Sequence, residues 1–116
     1  MKITALNETP GLPMEMEGVK GVTKQVPLSK EDGAPLFSFR VFTVEPGGYS
    51  PLHQHPFEHL IYILEGNGIL ISEGEKENPI QKGNFIMVLP DELHQLKNAS
   101  DQTQLQFLCA VPKDYE

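Results

Sequence analysis

Apolar residues along this chain fall in short runs, and none sustains the roughly 3.6-residue period of an amphipathic helix. Segments rich in Val, Ile, Leu, Phe and Thr predict strands over residues 21–28, 36–45, 52–55, 59–64, 69–72, 85–89, 93–98 and 103–111. Glycine and proline, ten of each, punctuate the intervals. Many short strands spaced in this way predict an all-β sandwich or barrel. Within 59–64, alternation puts Ile61 and Ile63 on one face with His59. Leu60, Tyr62 and Leu64 share the other face and are equally apolar. A strand apolar on both faces is covered on both sides. One face can point into a barrel; the other then needs a second sheet, the N-terminal arm or a second subunit, so a homodimer is expected.

The turns have local causes. Pro46-Gly47-Gly48 is expected to end the strand at Glu45. Asn67-Gly68 is a strong short hairpin signal, because both positions tolerate positive φ. The charged stretch 73–79 reads as a solvated hairpin tip. Pro10, Gly11, Pro13 and Gly18 mark residues 1–18 as an arm, leaving 19–116 as a single barrel domain.

Composition narrows the function classes. Nine basic against sixteen acidic residues give the 116-residue chain a formal charge of −7. Nucleic-acid binding needs clustered Lys and Arg to displace counterions from phosphates, and here basic residues are few and scattered. An anionic membrane surface is disfavoured for the same reason. The apolar stretches near 60–64 and 85–89 are far short of the about 20 residues that span a bilayer. The first residues, Met1-Lys2-Ile3-Thr4, open no apolar leader. One cysteine, Cys109, allows no intrachain disulfide, which fits a reducing compartment. A cytoplasmic protein is the expectation.

The chemistry concentrates in the histidines. All four, His53, His55, His59 and His94, lie in two short segments. His53 and His55 are two apart, which on a strand aims both rings to one face. His59 returns after the Pro56 break, and His94 comes from a remote segment. A lone histidine reads as a packing residue. Four placed this way read as ligands of one divalent transition metal, because neutral imidazole suits Zn, Cu, Fe and Ni.

These segments carry a family resemblance. Gly47, His53, His55 and Gly66 take the places of the first cupin motif, G-x5-H-x-H-x3,4-E-x6-G. Gly83, His94 and Asn98 match the second, G-x5-P-x-G-x2-H-x3-N. His59 stands where that family has glutamate, and Leu89 and Asp91 replace a Pro and a Gly. Asp91 can still serve the turn, since Asp tolerates left-handed backbone. The chain resembles a minimal cupin subgroup that binds manganese through four histidines. The resemblance implies a cupin-type double-stranded β-helix, or jelly-roll, barrel. It also implies one metal per chain: manganese first, then iron, with zinc or nickel possible. Replacing a carboxylate by imidazole leaves the site more positive and without a directly bound general base.

Other residues have two readings each. Arg40, inside an apolar run, is an anion clamp in the barrel mouth or a structural ion-pair residue. Glu58 is a further ligand or nearby base, or a surface residue of strand parity opposite to that of His55 and His59. Cys109 is oxidisable near the metal, or a small buried hydrophobe. Phe57, Ile61 and Phe107 are candidate pocket walls. The resemblance and ligand set imply a metal-dependent oxidoreductase, dioxygenase-like or peroxide-using, with a small organic substrate. A metal-dependent isomerase or epimerase, with Glu58 or Tyr62 as base, and a non-catalytic small-molecule-binding cupin are the alternatives.

Overall fold

The computed structural model describes residues 1–116. Nine strands form it: β1 (Gly11–Pro13), β2 (Lys20–Leu28), β3 (Phe37–Tyr49), β4 (His59–Glu65), β5 (Asn67–Ser72), β6 (Lys76–Gln81), β7 (Phe85–Val88), β8 (Gln95–Asn98) and β9 (Leu105–Pro112). Their hydrogen-bonded order is β6-β5-β8-β3-β9-β4-β7, with β2 paired to β3 and β1 to β2. The remaining elements are short 3-10 turns, and no helix is long and apolar enough to cross a membrane. The all-β class is the one the residue pattern implies.

Alternation places the core. On β9, Leu105, Phe107, Cys109 and Val111 are buried while the residues between them are half-buried. On β4 the inward residues are His59, Ile61 and Ile63. On β3 they are Ser38, Arg40, Phe42 and Val44. β9 lies between β3 and β4, with Cys109 opposite Arg40 on one side and Ile61 on the other. Three positions remote in sequence, Arg40, His59 and Cys109, therefore face one interior.

Four local expectations give way. β3 does not stop at Glu45 but continues through Pro46-Gly47-Gly48 to Tyr49. A bulge absorbs the extra residues: Val22 faces Val44, yet Lys20 faces Tyr49. Gly47, at φ 74, supplies the turn this requires. Asn67-Gly68 is not a hairpin turn but the start of β5. β4 pairs with β7 and β9, and β5 with β6 and β8, so the chain crosses between halves of the sheet at Gly66.

The tight hairpin joins β5 to β6 instead, over Glu73–Glu75 with Gly74 at φ 72. Most of the expected charged tip is strand β6. Its polarity suits an edge, where one flank stays in water and Pro79 costs no internal ladder bond. The expected strand over 52–55 shrinks to a single antiparallel bridge between His53 and His94.

The first residues lie along β2. β1 pairs with it antiparallel, and Gln25 Nε2 donates to the carbonyls of Leu6 and Thr9 at 2.9 Å each.

Candidate metal centre

The site is assembled from backbone bonds outward. His53 N–H donates to the His94 carbonyl at 3.1 Å, and His94 N–H returns the bond at 2.9 Å. A hydrogen-bonded antiparallel pair sets both side chains on one face, and the two rings lie 4.8 Å apart. Asp91 N–H donates to the His55 carbonyl at 2.7 Å, which ties the first histidine segment to the second. That bond needs the tight turn at Pro90-Asp91, where Asp91 takes φ 65. Asn98, at the matching motif position, is no ligand: its Nδ2 bonds the Val44 and Thr103 carbonyls at 3.0 and 2.8 Å.

Each ring is then oriented. His55 Nδ1 donates to the Phe57 carbonyl at 3.0 Å, and His94 Nδ1 to the Glu92 carbonyl at 2.8 Å. These bonds leave Nε2 of both rings as a lone pair. Both Nε2 atoms are buried and meet no partner in the chain. One donor atom each from His53, His55 and His94 lies within 4.8 Å of the others. Unsatisfied buried polar atoms are costly; two such imidazoles, with His53 converging on them, fit a borderline-soft metal ion.

His59 belongs to the same cluster but is engaged. Its ring centroid is 4.1 Å from that of His55 and 5.4 Å from that of His94. Its Nε2 accepts from Arg40 Nη2 at 3.3 Å, since guanidinium is donor only. The structure thus gathers three of the four expected ligands with free donor atoms, and places the fourth beside them under an arginine.

The electrostatics keep the rings neutral. Burial, then the charge of Arg40, pushes the His59 pKa down to about 2. Burial, then His94 and His55, lowers His53 to about 4. Burial also lowers His94, with the Glu92 carbonyl bond opposing it. Neutral imidazole is the ligating form, so these rings need release no proton at neutral pH.

A cavity of about 70 Å³ opens among His53, His59, His94 and Arg40. Its apolar wall is Met14, Phe42, Leu96 and Phe107. Phe42 and Phe107 sit opposite each other on β3 and β9 with rings stacked at 5.2 Å. Ile61 is core rather than wall. Phe57 stacks on His55 at 4.0 Å and on Tyr115 at 3.9 Å, outside the cavity lining.

Glu58 is exposed and off the cavity. Cys109 is fully buried, and burial raises its pKa, so it is a protonated thiol. Met14 and Tyr115 carry no sequence signal, because both come from terminal segments with no periodic pattern. Larger hollows exist, such as one of about 540 Å³ beside Met1, Lys2 and Phe37, but no cluster of ligating side chains converges there.

Comparison with known proteins agrees with this fold. The model of the cupin domain family matches residues 40–111, a stretch that holds Arg40 and all four histidines. The polyketide cyclase RemF from Streptomyces resistomycificus is similar in structure with a TM-score of 0.90 and 27% identity, over 97% of this chain and 79% of that one. A predicted oxalate decarboxylase from Thermotoga maritima gives a TM-score of 0.84 and 29% identity, over 97% of this chain and 99% of that one. A cupin-superfamily sugar phosphate isomerase from Silicibacter pomeroyi, at 19% identity, shares the fold with a TM-score of 0.77, over 94% of this chain and 74% of that one. No curated protein matches by sequence.

Proposed function

The chain belongs to the cupin domain family, and on that premise we propose that it is a metal-dependent oxidoreductase, oxygen- or peroxide-using, that acts on a small organic molecule. The observation that carries this reading is the pair of buried, partnerless Nε2 atoms on His55 and His94. His53, His55 and His94 would hold one divalent transition metal, with His59 as the fourth ligand when Arg40 releases it. Manganese is the first choice, then iron; zinc and nickel also suit imidazole. When bound, such an ion supplies Lewis acidity and, for manganese or iron, redox chemistry.

The chain's own residues do the rest. The Phe57 and Glu92 carbonyls fix two ring orientations. Phe42, Phe107, Leu96 and Met14 exclude water, which strengthens electrostatic interactions in the cavity. Glu58, being exposed, has no part in this reading.

The likeness to a polyketide cyclase supports a second reading, in which the metal serves only as a Lewis acid for isomerisation or ring closure. The test is to load the metal-free protein with manganese, iron or zinc, then screen small unsaturated and enolisable substrates. Oxygen and peroxide consumption are the readouts. Turnover with manganese or iron and none with zinc is expected. Equal activity with zinc would favour the Lewis-acid reading. No turnover with any metal would leave a metal-binding module without catalysis.

We also propose that two copies associate through the outer face of β9, β4 and β7. That face is a groove lined only by apolar residues, among them Phe39, Leu60, Tyr62, Phe85 and Met87. Phe85 is 84% exposed and Met87 63%. β7 ends the strand order, so its outer edge is unpaired. A chain of charge −7 repels its own copies, and this uncharged patch is where repulsion is least. A second copy is therefore the occupant. Light scattering should give a dimer at micromolar concentration, and Phe85→Glu a monomer; a monomeric wild type would rule this out.

A further inference from the structure

Arg40 is a buried cation without a counter-ion. It is only 9% exposed. The one ion pair of the chain joins Lys2 to Asp32 and does not involve it. Its guanidinium makes three contacts: two long ones, to the Tyr115 carbonyl at 3.4 Å and to His59 Nε2 at 3.3 Å, and one of ordinary length for sulfur, to Cys109 Sγ at 3.4 Å. It also lies 5.0 Å over the Phe42 ring. Its Nε has no partner at all. None of these neighbours carries negative charge, since Cys109 stays a thiol.

Lys24 on β2 adds a second positive charge in range. Burial first, then Arg40, lowers its pKa, while Glu116 raises it. Arginine cannot shed its proton to escape, and a buried charge that lacks its partner is costly. That cost makes sense where an anion arrives from outside. The guanidinium lines the cavity bordered by His53, His59 and His94, and its planar fork matches a carboxylate. The cavity of about 70 Å³ has room for on the order of five water-sized groups, enough for a small acid's head.

We propose that Arg40 anchors the carboxylate of a small substrate, and that carboxylate binding frees His59 for the metal. The second half rests on the metal-centre reading above; the first half does not. When the carboxylate takes the guanidinium, Nη2 turns from His59, and the His59 Nε2 lone pair joins those of His53, His55 and His94. Anion and metal then raise each other's affinity by the same factor.

The probe is acetate, with neutral acetamide as its isostere. Binding to metal-free wild type, Arg40→Lys and Arg40→Gln is measured by NMR titration of ¹³C-labelled ligand, and manganese affinity by equilibrium dialysis with and without acetate. Wild type should bind acetate and not acetamide. Arg40→Gln should weaken acetate by at least about tenfold, and Arg40→Lys by less, as loss of a charge-assisted bond implies. Arg40→Gln should melt no lower than wild type, since it removes an unpaired charge; a residue serving only structure would lower the melt.

Acetate should tighten manganese in wild type severalfold and have no such effect in Arg40→Gln. Equal acetate binding by wild type and Arg40→Gln, or none by wild type, would overturn the anchor. Acetate binding without any manganese binding would uphold the anchor and reject the metal reading. Manganese binding unaffected by acetate would overturn the coupling.

Discussion

Replacing His94 by glutamine is expected to lower divalent-metal affinity by at least about 100-fold, because losing a direct ligand should exceed the 10–100-fold effect of losing a supporting partner. His94 is 3% exposed, and its Nε2 has no other partner. Its backbone bridge to His53 survives the change, so the loss is confined to the donor atom. Glutamine fills similar space and is a poorer ligand for a borderline-soft ion. His59→Gln should weaken binding less, by about tenfold, since Arg40 already occupies its Nε2. Equilibrium dialysis with elemental analysis reads both, and circular dichroism shows whether the folds are intact. Full affinity in His94→Gln would refute the centre itself. Full affinity in His59→Gln would leave a three-histidine centre.

Gly66→Ala is expected to destabilise the fold by about 3–5 kcal/mol, the sum of backbone strain and overpacking. The backbone there takes φ 90, which L-residues with a Cβ rarely adopt. An added Cβ would stand 2.4 Å from the Gln104 carbonyl oxygen and 3.1 Å from the Leu105 Cα. Those atoms are backbone at the start of β9, so no side chain can turn away. Leu105 is itself fully buried, which leaves little room for the strand to retreat. A loss of this size is about a fifth or more of the stability of a typical domain, about 5–15 kcal/mol. Urea unfolding of wild type and variant measures it; a change below about 1 kcal/mol would mean that the crossing can shift. Gly74→Ala is the matched control. It shares a positive φ of 72 with nothing within 4 Å of the new Cβ, so strain acts alone and the loss should be smaller.

The strands that alternate strongly are legible in the sequence. β4 and β9 occupy almost the residues that alternation predicts, because a period of two in burial is a local property. The histidine cluster is legible too, since every histidine falls in two segments. β6 is not: an edge strand carries charge and proline, the same signals as a loop. β3 runs past its expected end at Pro46-Gly47-Gly48, because a bulge and a chain stop use the same residues. Asn67-Gly68 misleads for a related reason. A turn dipeptide says that a bend is tolerated, and pairing across the sheet decides whether it occurs.

The residue pattern alone settles the all-β class, the two faces of β4 and the four imidazoles available to a metal. Those follow from side-chain alternation and residue chemistry, which need no partner strand. The folded arrangement settles which imidazoles are free. It set β9 between β3 and β4 and so brought Arg40 within 3.3 Å of a histidine nineteen residues away. It closed the His53–His94 bridge across forty-one positions of chain. It also drew Met14 and Tyr115 from the two termini to the edge of the site. Such contacts depend on strand order and register, which arise from burying many apolar faces at once and are written in no single segment.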